Sequence, residues 1–354
     1  MTGLPLSAAA ASCPLVLERS ATLTGLRLPP PADFFDSAAW FEILAGTCLP
    51  PGSSVQIHLV CDGGGPLLAL PMAREGALLG AIANFYTCRF GPPRREDDDG
   101  GSALAEAVEH WARALRRGSE RPGRLRFQAL DDPGPLRAGL RRAGWLTETW
   151  PHFGNWYQPV AGIGFGDYWS GRPQRLRNTV ARKARALGRA GHRAEFAVVT
   201  DPERAVALYE TVYAQSWKAP EPHPGFMPAL IRRGMPLGAV RVGAMTIDGE
   251  PAAAQVWLVW RRRATIFKLA YAESFGRWSP GSLLTRHMME DLLEQGAADE
   301  VDFGCGDDPY KQDWLPNRRQ RWGLAAYDPA TLSGLSGAAR NLLPRLWRRG
   351  IAPG

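Results

Sequence analysis

The residues best suited to chemistry lie together in Asp299-Glu-Val-Asp-Phe-Gly-Cys-Gly-Asp-Asp-Pro-Tyr-Lys-Gln-Asp-Trp314. The pattern predicts a short buried strand that stops on glycines and turns into a polar segment carrying Tyr310, Lys311 and Trp314. A strand end beside an open turn exposes backbone groups and reactive side chains together. Acyl transfer to an amine needs the amine neutral, a base to collect its proton and a donor for the developing oxyanion. Asp302 can orient or deprotonate an acceptor. Lys311 can stabilise an oxyanion or a phosphate as a mobile point charge, and Tyr310 can protonate a leaving thiolate or a sugar oxygen. Asp307 and Asp308 stand before Pro309 and suit a turn, while Trp314 suits the core.

A second candidate is the helix start at Arg277-Trp-Ser-Pro-Gly-Ser-Leu-Leu284, shortly after a strand. Free backbone N–H groups and the helix dipole make such a start a cradle for phosphate or pyrophosphate. Ser279 is the candidate cap, Pro280 suits the first turn, and Gly281 lets a ligand approach the backbone. An ordinary capped helix accounts for the same residues, so both readings stand at this level.

These groups need elements to hold them, and the chain is long enough for two domains at 354 residues. Hydrophobic residues make up 45% and charged residues 22%, a globular balance. The net charge of +7 favours an anionic partner such as a phosphorylated cofactor, nucleic acid or an acidic membrane surface. Arginine-rich composition can equally follow from base composition of the genome. The five cysteines are scattered without CxxC spacing and the six histidines are dispersed, which argues against a zinc site or a disulfide framework and fits a reducing cytosol. Ala8 to Ala11 before Ser12-Cys13 lacks a positive leader and an apolar core, so no export signal is read there. No apolar run approaches the roughly 20 residues needed to span a bilayer.

In chain order, Phe34 to Gly46 predicts a helix capped by Asp36 or Ser37. Ser54 to Cys61, Pro66 to Met72 and Ala77 to Phe85 predict strands, followed by a solvated loop from Arg94 to Gly101 with its Asp97-Asp-Asp-Gly100 run. Ser102 is expected to cap a helix to Arg117; a strand at Arg124 to Leu130, a helix at Pro133 to Arg142 and a strand or strand pair at Leu146 to Val160 complete this half. The second half opens with a basic helix, Arg172 to Arg189, whose apolar face is Leu176, Val180, Ala184 and Leu187. Next come a strand at Ala194 to Thr200, a helix at Asp201 to Trp217 and a hairpin across Asp248-Gly249 joining Val240 to Ile247 with Ala252 to Trp260. A strand at Thr265 to Tyr271, a helix from Pro280 through Glu294, and strands at Val301 to Gly304 and Gln320 to Tyr327 follow. The tail, Thr331 to Gly354, predicts a basic amphipathic helix with Leu335, Leu342, Leu343, Leu346 and Trp347, interrupted by Pro344 and expected to pack rather than anchor.

The halves repeat an order of elements without repeating residues: helix, adjacent antiparallel strands, helix, strand. This order matches an acyltransferase fold of the GNAT superfamily written twice. The expected class is α/β (α+β): tandem GNAT folds with mixed, mostly antiparallel sheets flanked by helices. The domains expected are a lead over 1–31, a first GNAT-like unit over 32–161, a second with the active site over 162–330, and a basic tail over 331–354.

Val301-Asp-Phe-Gly-Cys-Gly-Asp-Asp-Pro-Tyr-Lys-Gln-Asp-Trp314 resembles the DF-x-G…YK-x-x-W signature of GNAT-type proteins in the FemAB-like branch. More narrowly, it looks like the acyltransferase domain associated with bacterial cellulose biosynthesis, the CelD/BcsL-like group. Ser279-Pro-Gly-Ser-Leu-Leu284, the segment with Arg182-Lys183, and Ala83-Asn-Phe-Tyr-Thr-Cys-Arg-Phe-Gly91 are similar to that group's helix start, basic segment and first-half loop. The helix start departs from the usual Arg/Gln-x-x-Gly-x-Gly/Ala turn: one extra residue separates Arg277 from Gly281, and Leu283 stands where a second small residue would follow.

The resemblance implies N-acyl transfer, with Lys311 and Tyr310 as catalytic residues and Asp302 beside them. It implies Arg277, Ser279, Gly281 and Ser282 at the donor, and Tyr86, Arg89 and Arg182 at the acceptor. The donor implied is acetyl-CoA or another acyl-CoA, with no metal, and the acceptor a small molecule or glycan precursor of an exopolysaccharide or the cell envelope. FemABX enzymes instead take aminoacyl-tRNA, often with a coiled-coil arm; no heptad run of that length occurs here, which disfavours tRNA. A cytosolic protein touching the inner membrane surface is the expected setting, and a catalytically idle GNAT scaffold in polysaccharide synthesis is the alternative from outside enzymology.

Overall fold

The structure, a computed structural model, describes residues 14–95 and 101–350, with side chains described as far as residue 341. Ala8 to Cys13, the Asp97 to Gly100 run, and the side chains of Leu342, Leu343, Leu346 and Trp347 lie outside the described residues.

The first half contains β1 (Val16–Ser20), α1 (Ala38–Thr47), β2 (Ser54–Asp62), β3 (Gly65–Glu75), β4 (Leu78–Ala81), α2 (Ser102–Arg117), β5 (Arg124–Leu130), α3 (Gly134–Arg142) and β6 (Leu146–Pro159). The second contains α4 (Phe165–Ser170), α5 (Gln174–Arg189), β7 (Ala194–Val199), α6 (Pro202–Ala214), α7 (Phe226–Gly234), β8 (Val240–Ile247), β9 (Glu250–Trp260) and β10 (Arg263–Tyr271). It continues with α8 (Pro280–Glu294), β11 (Glu300–Asp302), α9 (Lys311–Trp314), β12 (Asn317–Tyr327) and α10 (Leu332–Gly350).

The strands form one mixed sheet of 12 strands in the order β1-β2-β3-β4-β5-β12-β6-β11-β10-β9-β8-β7. β12, late in the sequence, inserts between β5 and β6 and is antiparallel to both. β11 joins the halves, antiparallel to β6 and parallel to β10. Helices also cross the expected boundary: Trp40 of α1 meets Phe226 of α7 edge to face, with ring centroids 5.6 Å apart. A second cluster packs Leu176 and Val180 of α5 with Leu284 and Met288 of α8 beneath Trp257 of β9.

Several local expectations change. The α1 cap is Ser37, whose hydroxyl accepts the Trp40 N–H at 3.2 Å; Asp36 instead ends a single 3₁₀ turn. Ser102 is the first residue of α2 rather than its cap, because Gly101 holds the cap position at φ 93°. β4 stops at Ala81, and Asn84 then closes a turn by accepting the Tyr86 N–H at 2.9 Å. The expected strand Val301 to Gly304 shortens to three residues, since Gly304 turns the chain at φ 57°. Ala184 is exposed, so the buried face of α5 is Leu176, Val180 and Leu187. Pro344 does not end α10. β1, α4 and α7 are additional elements. The hairpin at Asp248-Gly249 forms with φ of 54° and 86°, the left-handed pair that a tight two-residue turn requires.

Candidate functional site

The site begins where two parallel strands part. β10 and β11 pair only from Arg263 with Glu300 to Thr265 with Asp302, while β10 runs on to Tyr271. Two features open the gap. β10 is irregular between Ile266 and Lys268 against β9, and β11 ends in the left-handed turn at Gly304. A Cβ at Gly304 would sit 2.8 Å from Cys88 Sγ, so only glycine lets the turn pack this closely.

Beyond the parting, the alternation of an antiparallel ladder fixes where the backbone of β10 points. The Ala272 N–H donates to Ala252 O at 3.0 Å, so the residues at 270 and 272 face β9. Leu269 and Tyr271 therefore turn their N–H and C=O toward the cleft. This strand edge can pair with an extended ligand arm.

The cleft holds about 440 Å³. One wall is the start of α8, with Ser279, Gly281 and Ser282; the other carries Asp308, Tyr310 and Trp314 from the segment after β11. Trp217 and Lys218, which follow α6, complete it. The two stretches singled out from the sequence thus face one another across one opening.

At the α8 wall, Pro280 has no N–H, so Gly281 supplies the first backbone donor of the helix. Ser279 occupies the cap position in the left-handed region, φ 54° and ψ 52°, without a side-chain capping bond. Its expected role as a cap is corrected: in that conformation the hydroxyl does not reach the helix N–H groups, whereas its carbonyl accepts from Leu283 N at 3.2 Å. Gln255 braces the turn from β9, donating to Gly281 O at 3.0 Å and Thr285 Oγ1 at 2.7 Å. Arg277 is exposed, its guanidinium 4.5 Å from the centroid of the Trp278 ring, and does not line the cleft.

On the opposite wall, Tyr310 is 45% exposed and meets Phe303 edge to face at 5.9 Å. Burial of the hydroxyl and nearby Asp308 push its pKa up to about 12. Lys311 is only 5% exposed. Its Nζ donates to Cys305 O at 2.5 Å and Gly306 O at 3.3 Å and pairs with Asp308 at 3.0 Å. It lies behind the cleft wall and fixes the glycine turn.

Asp302 is 3% exposed, and its oxygens accept from Asn155 Nδ2 at 3.0 Å, Gly304 N at 2.7 Å and Thr265 Oγ1 at 3.1 Å. Burial raises its pKa, opposed by Arg319 and these hydrogen bonds. The expectation that it orients or deprotonates an acceptor is corrected: its oxygens are occupied by the strand junction and do not reach the cleft.

The residues expected at the acceptor also lie elsewhere. Tyr86 is 1% exposed, stacks on Phe226 at 3.9 Å and donates to Glu221 Oε2 at 2.6 Å. Arg89 is tied to Asp33 at 3.1 Å and Asp131 at 2.5 Å. Arg182 is exposed on α5, away from the cleft lining. None of the three lines the opening.

Sequence reasoning missed Lys218, Lys268 and Glu221. Glu221 accepts from Tyr86, from Tyr209 at 3.2 Å and from Lys268 at 2.8 Å. Burial alone would raise its pKa, but the hydrogen bonds from Lys268 and Tyr86 hold it below the usual carboxylate value. Lys218 donates to Leu269 O at 2.6 Å, and burial, then Lys268, push its pKa down to about 8. The signal in the sequence was slight: Ser216-Trp217-Lys218 lay at the end of an expected helix. Among the described residues no group of three or more His, Cys, Asp or Glu can hold a metal, and no helix is long and apolar enough to cross a membrane.

Residues 174–312 match a family described as an acetyltransferase (GNAT) domain, a span from the start of α5 to one residue past Lys311. No curated protein matches the chain. Among solved structures, FemX is similar with a TM-score of 0.58 at 10% identity, covering 84% of this chain and 93% of FemX. A tandem GNAT protein from the clavulanic acid biosynthesis pathway is similar with a TM-score of 0.50 at 17% identity, covering 90% and 100%. L-PGS from Bacillus licheniformis gives 0.51 at 12% identity, covering 82% and 88%. The fold is of GNAT type, and the matched domain marks the chain as an acyltransferase.

Proposed function

We propose that the chain is an N-acyltransferase that takes its acyl group from acetyl-CoA or another acyl-CoA and passes it to an amine. The observation that carries this reading is the cleft itself, where the start of α8 and the free edge of β10 form one continuous surface. In this reading the pyrophosphate of the donor rests on the α8 start at Gly281 and Ser282, where the helix dipole and the Gly281 N–H favour an anion. The pantetheine arm runs along Tyr271 and the Leu269 N–H, the Leu269 carbonyl being held by Lys218, and the thioester reaches Tyr310, which protonates the leaving thiolate. Lys311 acts on the reaction by holding the Cys305–Gly306 turn.

The acceptor proposed is an amino sugar or other amine of an exopolysaccharide or envelope precursor, following the resemblance to the cellulose-associated group. The proposed setting is the cytosol, with peripheral contact at the inner membrane through the basic surface. Calorimetry with acetyl-CoA and longer acyl-CoAs, followed by thiol release with a panel of amino sugars, tests both parts. Absence of binding by any acyl-CoA overturns the donor.

A second reading, aminoacyl transfer from tRNA, is favoured by one observation: Arg182, Arg185 and Arg189 are exposed along α5. Such a row would bind phosphates with an affinity that falls steeply with salt. Filter binding of tRNA at low and high salt tests it, and binding that ignores salt removes it.

A further inference from the structure

We propose that Lys218 is the base that takes the proton from the acceptor amine, a role that rests on the acyl-CoA reading of the same cleft. Of three lysines that feel one another's charge around the cleft, only Lys218 lines it. Lys268 is paired with Glu221 at 2.8 Å and Lys311 with Asp308 at 3.0 Å. Lys218 has no carboxylate within ion-pair distance among the described residues. Its Nζ is held by Leu269 O at 2.6 Å, on the strand edge that faces the cleft. The rings of Trp217 and Tyr213 stand 5.7 Å and 6.0 Å from it.

A half-buried ammonium beside two other lysines loses hydration and meets repulsion, and both favour the neutral amine. Glu221 and Asp308 act in the opposite direction but are engaged by Lys268 and Lys311. The pKa of about 8 agrees with this geometry and puts an appreciable neutral fraction near neutral pH. Tyr310, on the opposite wall beside Asp308, stays protonated at that pH and serves as an acid.

The protons balance. Neutral Lys218 takes one from the acceptor ammonium and later returns it to solvent. The freed amine forms a C–N bond to the thioester carbonyl, and the C–S bond breaks. Tyr310 gives its proton to the thiolate and recovers one from the nitrogen that has attacked. Lys218 is then the group that makes the nucleophile, while the α8 start only binds the donor.

Trace labelling of the full chain with acetic anhydride across pH 6 to 11, read by mass spectrometry, tests the proposal without a known acceptor. Lys218 is expected to reach half-maximal labelling near pH 8, well below the ordinary lysine value of 10.5, and to be protected at least fivefold by CoA. Half-maximal labelling at pH 10 or above overturns it, as does unchanged labelling with CoA bound. No calorimetric CoA binding overturns the acyl-CoA reading itself, and this role with it. With an amino sugar that turns over, the wild-type rate should rise through an inflection near pH 8 to a plateau above it. K218A and K218R should both lose roughly 10²-fold in kcat and that inflection, with acyl-CoA affinity kept. K218R with wild-type rate and profile overturns the proposal.

Discussion

Asn155 on β6 donates through Nδ2 to Asp302 Oδ1 on β11 at 3.0 Å, and both side chains are buried. The same nitrogen donates to Gly304 O at 2.7 Å, while its Oδ1 accepts from Arg319 Nε on β12 at 2.6 Å. One amide thus ties three strands at the point where the cleft opens. N155A would leave the Asp302 carboxylate buried with fewer donors. Loss of a hydrogen bond to a buried charged group costs about 1.5–3 kcal/mol, so the variant should unfold at lower urea. N155A with a wild-type urea midpoint would remove the idea that this amide holds the junction.

The α8 start can be tested by charge. A Cβ at Gly281 would meet only the Tyr271 ring, at 3.4 Å, which is ordinary van der Waals contact, so G281D should fold. Its carboxylate would stand where the donor pyrophosphate is proposed to rest. Acyl-CoA binding is expected to fall by at least about tenfold in calorimetry, or about 1.4 kcal/mol, with little change in melting temperature.

Tyr310 and Lys311 are neighbours with different proposed roles. Y310F keeps the ring against Phe303 and removes only the proton, so kcat should fall by about 10²-fold with donor binding unchanged. K311A removes the cation that gathers the carbonyls of Cys305 and Gly306, so it should lower both kcat and stability. Variants that leave acyl transfer untouched would instead support an idle scaffold.

Asp36 offers a pH test away from the cleft. Burial, then Asp33, raise its pKa from 3.8 to about 7, although it accepts the Gly91 N–H at 2.8 Å. Folding therefore favours the protonated acid. Its contribution is fully present below pH 3.8 and is lost as pH rises through about 7. D36N cannot ionise, so its melting temperature should gain on that of the wild type between pH 5 and pH 8. A constant difference across that range would show that Asp36 does not titrate there.

Much of the fold was legible because its elements carry strong local signals. The Asp248-Gly249 turn, the helix start at Pro280 and the helix ending at Arg117 all formed where the pattern put them. α4 and α7 were missed because short helices buried against other elements leave little periodic signal. The site was half legible. Ser279, Gly281, Ser282 and Tyr310 meet at one cleft, whereas Asp302, Tyr86 and Arg89 proved to be engaged in the interior.

The sequence alone determined which stretches could turn, cap or bear charge, because glycine, proline and alternating apolar residues act over a few neighbours. Only the tertiary structure decided which polar groups reach the cleft. Lys218 and Lys311 are both lysines near aromatic residues in the sequence, yet one faces the opening and the other sits behind its wall. That difference depends on where β10 parts from β11, and on β12 returning between β5 and β6, pairings between residues far apart in the chain.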